Sequence, residues 1–244
     1  MKHKDILFSI LFFAYILSGL YLSLFNGISH DQFHEQENWR INFQAIKSIF
    51  NGEGDYSVLL NYIDRYHGIA FHYISQPIQF LIHGTVGRLN EVTLEGSYYL
   101  SRHAVVFLTF VTAGYFFYLL CNKISNDKNF SLICFSLFLL YPYFFGHSQI
   151  NGKDIPFLSV WVISTYLLFN IIEKFYYEKK IDLKSIFFIS LCTAFLISIR
   201  ITGLLILLEY LIALMILLNV KDQKLFSFIF KNKKFFIFFS LFLI

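Results

Sequence analysis

Charge is what this sequence has least of. Only 15% of its 244 residues are Asp, Glu, Lys or Arg, against 57% hydrophobic. That scarcity excludes a soluble protein with a large core, whose helices would need polar faces that the apolar runs here lack. Cysteine is sparse too: Cys121, Cys134 and Cys192 are odd in number and show no metal-ligand spacing, so they read as packing residues. No glycine-rich phosphate loop, Walker-type lysine or dinucleotide fingerprint occurs, which argues against a nucleotide-sugar or ATP site. No small-x-small cleavage site follows the first apolar run, residues 6–25, so it reads as an uncleaved span and not a signal peptide. No internal repeat and no Ser/Gly/Pro linker marks a second domain, so residues 1–244 read as one transmembrane domain. The net charge of +4 comes from a few lysine-rich loops and indicates orientation, not nucleic-acid binding.

What the chain does have is long apolar runs, at residues 6–25, 100–121, 130–145, 155–172, 185–199 and 201–218. About 20 helical residues cross the hydrocarbon of a bilayer. These runs predict an all-α, polytopic integral membrane protein with about six to seven spans. A last run, 235–244, holds about half of a crossing, so the chain is expected to be cut off inside its last span. Residues 68–86 are only moderately apolar, with His72, Gln76, Pro77, Gln79 and His83 among them.

Whether 68–86 crosses decides the orientation of everything after it. If it does not, thirteen of the twenty basic residues lie on the inner side; if it does, most move outside. The positive-inside rule prefers the first arrangement. It puts the N-terminus in the cytoplasm and makes 68–86 an interfacial or re-entrant helix within a long outer loop, residues 26–99. All five arginines, Arg40, Arg65, Arg88, Arg102 and Arg200, then fall outside, where a phosphate-handling site would use them.

Three outer pieces carry residues suited to chemistry. The first is GISHDQFHEQENWR, where Asp31 and Glu35 share one face if the stretch is helical. A carboxylate there can act as general base, the cluster with His30 and His34 could bind a divalent metal, and a solvated loop start explains the same residues equally well. The second is YYLSRHAVVF, where Arg102 and His103 open a span and Arg102 can snorkel to the head groups. The third is GHSQINGKDIPF, residues 146–157, a polar knot holding His147, Gln149, Asn151, Lys153 and Asp154 between two apolar runs. Pro142 and Pro156 flank it, as residues that set helix ends. Arg200 interrupts a nearly continuous apolar stretch in LISIRITGLL, where two helices meet; it is either a boundary anchor or a clamp on a phosphate. Glu209, in mid-span, is a site candidate or a pairing partner for a neighbouring helix.

In order, SHDQFHEQ, YHGIAFHYISQPIQ, SRHAVVF, FFGHSQINGKDIPF and SIRITGLL resemble the amino-terminal half of the membrane-embedded GT-C glycosyltransferases. The nearest branch is the bacterial relatives of dolichyl-phosphate-mannose protein mannosyltransferases, of glycosyltransferase family 39. The similarity covers nearly the whole chain, and the knot is its most specific part. The resemblance implies a plasma-membrane enzyme that moves a hexose from a polyprenyl-phosphate carrier to an acceptor hydroxyl on the outer face, usually with inversion. It implies Asp31 as base. The family often has Glu directly after that Asp; here Gln32 stands there, and Glu35 could substitute as second carboxylate. Arg102 and Arg200 would sit near the lipid phosphate, His103 and His147 beside the substrate, and Asn151, Lys153 and Asp154 along the cleft. The resemblance does not identify the sugar or acceptor and names no cofactor with certainty. A transporter or flippase for a lipid-phosphate or anionic solute is the competing reading, although transporter sites tend to lie at the midplane. A structural subunit whose polar loops bind a partner is a third.

Overall fold

A long apolar run in hydrocarbon has to satisfy each backbone N–H and C=O within its own segment, and the α-helix does so. A computed structural model of the chain describes residues 3–65, 67–178, 181–222, 228–229 and 231–241, and all regular structure among them is helical. In chain order the elements are α1 (His3–Phe25), α2 (Asp31–Phe50), α3 (Ser57–Asn61), α4 (Ala70–Asn90), α5 (Leu94–Ser125) and α6 (Lys128–Leu140). There follow α7 (Pro142–Ser148), α8 (Asp154–Glu178), α9 (Leu183–Ile199), a 3-10 turn (Ile201–Leu204), α10 (Leu205–Val220) and α11 (Lys233–Leu241). Of the lysines used in the charge count, Lys2, Lys179, Lys180 and Lys224 lie outside the described residues, as does the end of the last run at 242–244.

Among the described residues, four segments are long and apolar enough to cross a membrane: Ile6–Phe25, Leu94–Ser125, Asp154–Glu178 and Ile201–Val220. This fits an integral membrane protein. A fifth crossing exists if α6 and α7 count as one broken span, bent by 57°. The bend has a local cause. Pro142 opens α7 and cannot donate a backbone hydrogen bond, and it pushes the residue before it out of the helical region. Tyr141 accordingly sits at φ −60° and ψ 117°. The six to seven spans expected from the apolar runs are therefore not all matched by full-length helices. The run at 185–199 is α9, whose 17 residues rise only about 26 Å. The run at 235–244 contributes the nine-residue α11. Residues 68–86 fall in α4, a single helix with Pro77 inside it, which is not among the segments apolar enough to cross.

The chain divides into two units. The first is Met1–Thr112 with Leu137–Pro156; the second is Ala113–Ser136 with Phe157–Ile244. In the first unit, α2 and α4 both turn polar residues inward. Helix α2 buries Gln32, Glu35 and Asn38 along with Ile41 and Ala45, and exposes Phe33, Phe43, Ile49 and Phe50 along with Asp31, His34, Arg40, Gln44 and Lys47. Helix α4 buries His72, Ser75 and Gln79 and exposes Tyr73, Ile74, Phe80 and Leu81. On each helix the buried polar residues recur at three- to four-residue spacing, so they line one face. A polar group turned inward finds partners inside the protein, which is where a helix that meets lipid has to find them.

The second unit is built on apolar contacts. Phe175, Leu217, Leu218 and Phe228 form a buried cluster. Two polar devices fix helix ends and pairs. Asp182 caps α9, accepting from the Ser185 backbone N–H at 2.6 Å, and Lys174 donates to it at 2.9 Å. The Lys174 bond, more than the cap, holds the Asp182 carboxyl down at about 2. Glu209 accepts from Trp161 Nε1 at 2.7 Å and from the Thr165 hydroxyl at 2.8 Å, which clasps α10 to α8. At the corner after α9, Arg200 is extended (φ −147°, ψ 135°) and the chain doubles back so closely that a Cβ on Gly203 would lie 2.8 Å from the Leu196 carbonyl. That neighbour is backbone and cannot swing away. Gly203→Ala is expected to cost about 1–3 kcal/mol, read as a lowered unfolding midpoint of the detergent-solubilised protein, whereas Gly146→Ala, with open space around it, should leave the midpoint unchanged.

Candidate functional site

The polar faces of α2 and α4 meet the start of α5 and the turn before α8, all within the first unit. At their centre is Glu35. Its Oε2 lies 3.5 Å from Arg102 Nη1 and its Oε1 lies 3.7 Å from Lys153 Nζ. Arg102 is 1% exposed, so it does not snorkel as a charge at a span start ordinarily would. Its Nη2 donates to Gln36 Oε1, which also accepts from Gln76 of α4 at 3.1 Å. The guanidinium carbon stands 5.9 Å from the Tyr99 ring. One carboxylate shared by two cations leaves a positive excess among these three side chains.

His103 occupies the next position of α5 and takes a different part. Its Nδ1 lies 3.1 Å from the Ser23 carbonyl oxygen, which can only accept, so Nδ1 carries the proton. Nε2 is then an acceptor, and the Gln32 amide donates to it at 2.6 Å and to the Ile150 carbonyl at 2.9 Å. Both amide hydrogens of Gln32 are thereby used. His103 is held in one tautomer and ties α1, α2 and the turn after α7 together.

The knot is partly helical, which corrects the expectation of a simple polar connection. Gly146, His147 and Ser148 form the end of α7, because Pro142 starts a helix and nothing breaks it before the turn. Asn151 then opens α8: its Oδ1 accepts from the backbone N–H groups of Lys153 (3.0 Å) and Asp154 (2.8 Å), and its amide donates to the Asp154 carboxylate at 2.9 Å. These are the contacts of a helix N-cap. The same amide lies 3.2 Å from Nδ1 of half-buried His147. Asn151 and Asp154 thus shape the chain locally, and Lys153 reaches Glu35. Gly152 passes directly over the ion cluster: a Cβ there would stand 3.2 Å from Glu35 Oε2 and 3.6 Å from Arg102 Cδ.

Several buried polar atoms of this unit have no hydrogen-bond partner: Arg102 Nε, Gln32 Oε1, His72 Nδ1, Ser75 Oγ, Gln79 Oε1 and Gln149 Oε1. Orphaned buried atoms are uncommon, since each forfeits its hydration. Arg102 belongs to the cation-rich centre, and His72 feels the Arg102 and Lys153 charges, so a polar ligand or ordered water there would satisfy at least these two. His72, in α4, is neutral: burial first, then the nearby Arg102 and Lys153 charges, push its imidazole down to about 2.

Of the residues expected at the site, Glu35, Arg102 and Lys153 come together, with His103 joined to them through α2 and α5. Asp31 is exposed in the first turn of α2, and the buried cluster is built around Glu35 instead. His30 and His34 are exposed with their rings 5.2 Å apart, and among the described residues no three His, Cys, Asp or Glu side chains gather as a metal would require. Arg200 is exposed and belongs to the second unit. Gln32, Gln36, His72, Gln79 and Gly152 were missed by sequence reasoning. For Gln32, Gln36, His72 and Gln79 the signal was the helical spacing of polar residues in α2 and α4, and for Gly152 its place in the polar knot.

Removing one partner of a buried ion pair costs about 3–5 kcal/mol, while neutralising both costs far less. Glu35→Gln, which leaves the buried Arg102 without its carboxylate, is therefore expected to lower stability strongly, and Glu35→Gln with Arg102→Met to recover most of the loss, as read by unfolding midpoints of the three proteins. His72 adds a pH effect. Above about pH 6.5 it is neutral folded or unfolded; below that the unfolded chain takes a proton that the folded chain refuses. Stability then falls with falling pH by up to about 1.4 kcal/mol per unit. His72→Gln should flatten the decline in unfolding midpoint between about pH 6.5 and pH 4.

No family model matches this chain, and no curated protein and no solved structure matches it significantly.

Proposed function

We propose that the chain is a membrane glycosyltransferase, or the catalytic part of one, that transfers a hexose from a polyprenyl-phosphate carrier to an acceptor hydroxyl. The observation that carries this reading is the buried Glu35–Arg102–Lys153 cluster roofed by Gly152. It combines cationic excess with unsatisfied polar atoms, which suits a sugar phosphate better than an apolar solute. The resemblance of the SHDQFHEQ, SRHAVVF and GHSQINGKDIPF motifs to GT-C enzymes points the same way, since those stretches supply the cluster.

In this mechanism the acceptor oxygen attacks the anomeric carbon as the bond from that carbon to the phosphate oxygen breaks. The bonding pair leaves with the phosphate, and the proton passes from the acceptor to a carboxylate. Lys153, partly exposed with its ammonium on Glu35, is the cation free to meet the departing phosphate; positioned charge of this kind stabilises the transition state. Glu35 orients Arg102 and Lys153. Asp31, exposed one helical turn before Glu35, is the base.

The assay is hexose transfer from a short-chain polyprenyl-phosphate hexose by the reconstituted chain. Asp31→Asn is expected to lower turnover at least about 100-fold with the KM for the donor little changed, and Lys153→Ala to raise that KM about tenfold or more. Transfer that survives in Asp31→Asn removes it as base. Donor-independent behaviour of Lys153→Ala removes the cluster from the reaction.

A further inference from the structure

The second unit contains an apolar cavity of about 280 Å³. Helices α8, α9, α10 and α11 line it, through Leu168, Phe175, Ile189, Leu214, Leu217 and Phe236 among others. Its extent is lengthwise: from Leu168 to Phe175 along α8 is about 10 Å, and from Leu207 to Leu217 along α10 about 15 Å. Among the described lining residues Tyr210 brings the one polar side chain, and its hydroxyl is already engaged with the Thr193 hydroxyl at 2.9 Å. Water needs two to four polar partners to settle in a cavity, and an engineered apolar cavity of about 150 Å³ already binds benzene. This larger one therefore favours an apolar occupant, and its length favours a chain over a compact molecule.

One end of the cavity is rich in lysine. Lys221 donates to the Tyr176 carbonyl at 2.6 Å and stands 4.0 Å from the centre of its ring, next to the lining residue Phe175. Lys174 is bonded to Asp182, which follows the lining residue Ile181. Lys184, Lys231 and Lys233 are exposed in the adjoining helix ends. With Lys123, which is paired to Glu173, six cations among the described residues stand against four neighbouring carboxylates, Glu173, Glu178, Asp182 and Asp222. An apolar slot with clustered ammonium groups at one end matches a molecule with a hydrocarbon tail and an anionic head.

We propose that this cavity holds one acyl chain of an anionic phospholipid, with its phosphate against Lys221 and the neighbouring lysines. The site is distinct from the cluster around Glu35 and does not depend on the sugar-transfer reading. The bound lipid fills space between α8, α10 and α11 and joins their lysine-bearing ends.

The test is native mass spectrometry of the delipidated full chain given equal amounts of phosphatidylglycerol and phosphatidylcholine with the same acyl chains. The expected result is one phosphatidylglycerol per chain, favoured at least tenfold. Leu214→Trp, which fills the cavity, should reduce that retention at least tenfold, while Leu208→Trp, exposed on the same helix, should not. Lys221→Ala should bring the two lipids close to equal retention, and this arm decides the headgroup claim even if Leu214→Trp fails to fold. Retention of neither lipid, undiminished retention in Leu214→Trp with its helical content intact, equal binding of the two lipids by the unaltered chain, or a second copy of the chain in place of lipid would each overturn the proposal.

Discussion

The first unit depends on one carboxylate. Glu35 sits between Arg102 and Lys153, and without it two cations would share a space that Gly152 roofs and α2, α4 and α5 wall in. A buried, unpaired guanidinium is among the costliest things a fold can contain. The cluster therefore constrains everything round it. Helix α2 must turn Glu35 inward, which carries Gln32 and Asn38 with it and puts Phe33 and Phe43 outside. The turn before α8 must pass close enough for Lys153 to reach, and a Cβ at position 152 would press on Glu35 Oε2 at 3.2 Å.

The two units show two ways of holding helices together when their surroundings are apolar. In the second, burial of Phe175, Leu217 and Phe228 does most of the work, with Glu209 and Asp182 fixing particular pairs and ends. In the first, polar groups are the glue. Gln36 bridges Arg102 and Gln76, Gln32 bridges His103 and Ile150, and Gln79 donates to the Tyr98 carbonyl. Hydrogen bonds between helices hold membrane bundles together because lipid tails provide no hydrophobic drive for association. The orphaned atoms left in the first unit are therefore conspicuous: the same network that satisfies most groups leaves Arg102 Nε and His72 Nδ1 without partners.

Much of the helical architecture was legible from apolar runs alone, since length and hydropathy mark a span without any tertiary information. Helix α1 and α8 follow their runs closely, and the break at Tyr141 is where Pro142 would put it. The interior of the first unit was less legible. Periodicity shows that Gln32, Glu35 and Asn38 share a face, but in a water-soluble helix that face would point outward. Reading it correctly requires the tertiary partners that face it: Arg102 for Glu35, His103 for Gln32 and the His67 carbonyl for Asn38. Arg102 looked like a snorkelling charge because it opens a span, and Asp31 stood out over Glu35 because the resemblance to GT-C enzymes pointed to it. Asn151 and Asp154 looked like site residues and are in large part a helix start, a role that only the hydrogen-bond geometry reveals.

The account rests on the cluster being built to receive an anion, and phosphorus NMR tests that most directly. A short-chain polyprenyl phosphate titrated with the detergent-solubilised chain should show a saturable shift of its phosphorus resonance at one equivalent per chain, much reduced for Lys153→Gln. A resonance that does not move, or one that moves equally for the unaltered chain and Lys153→Gln, would contradict it.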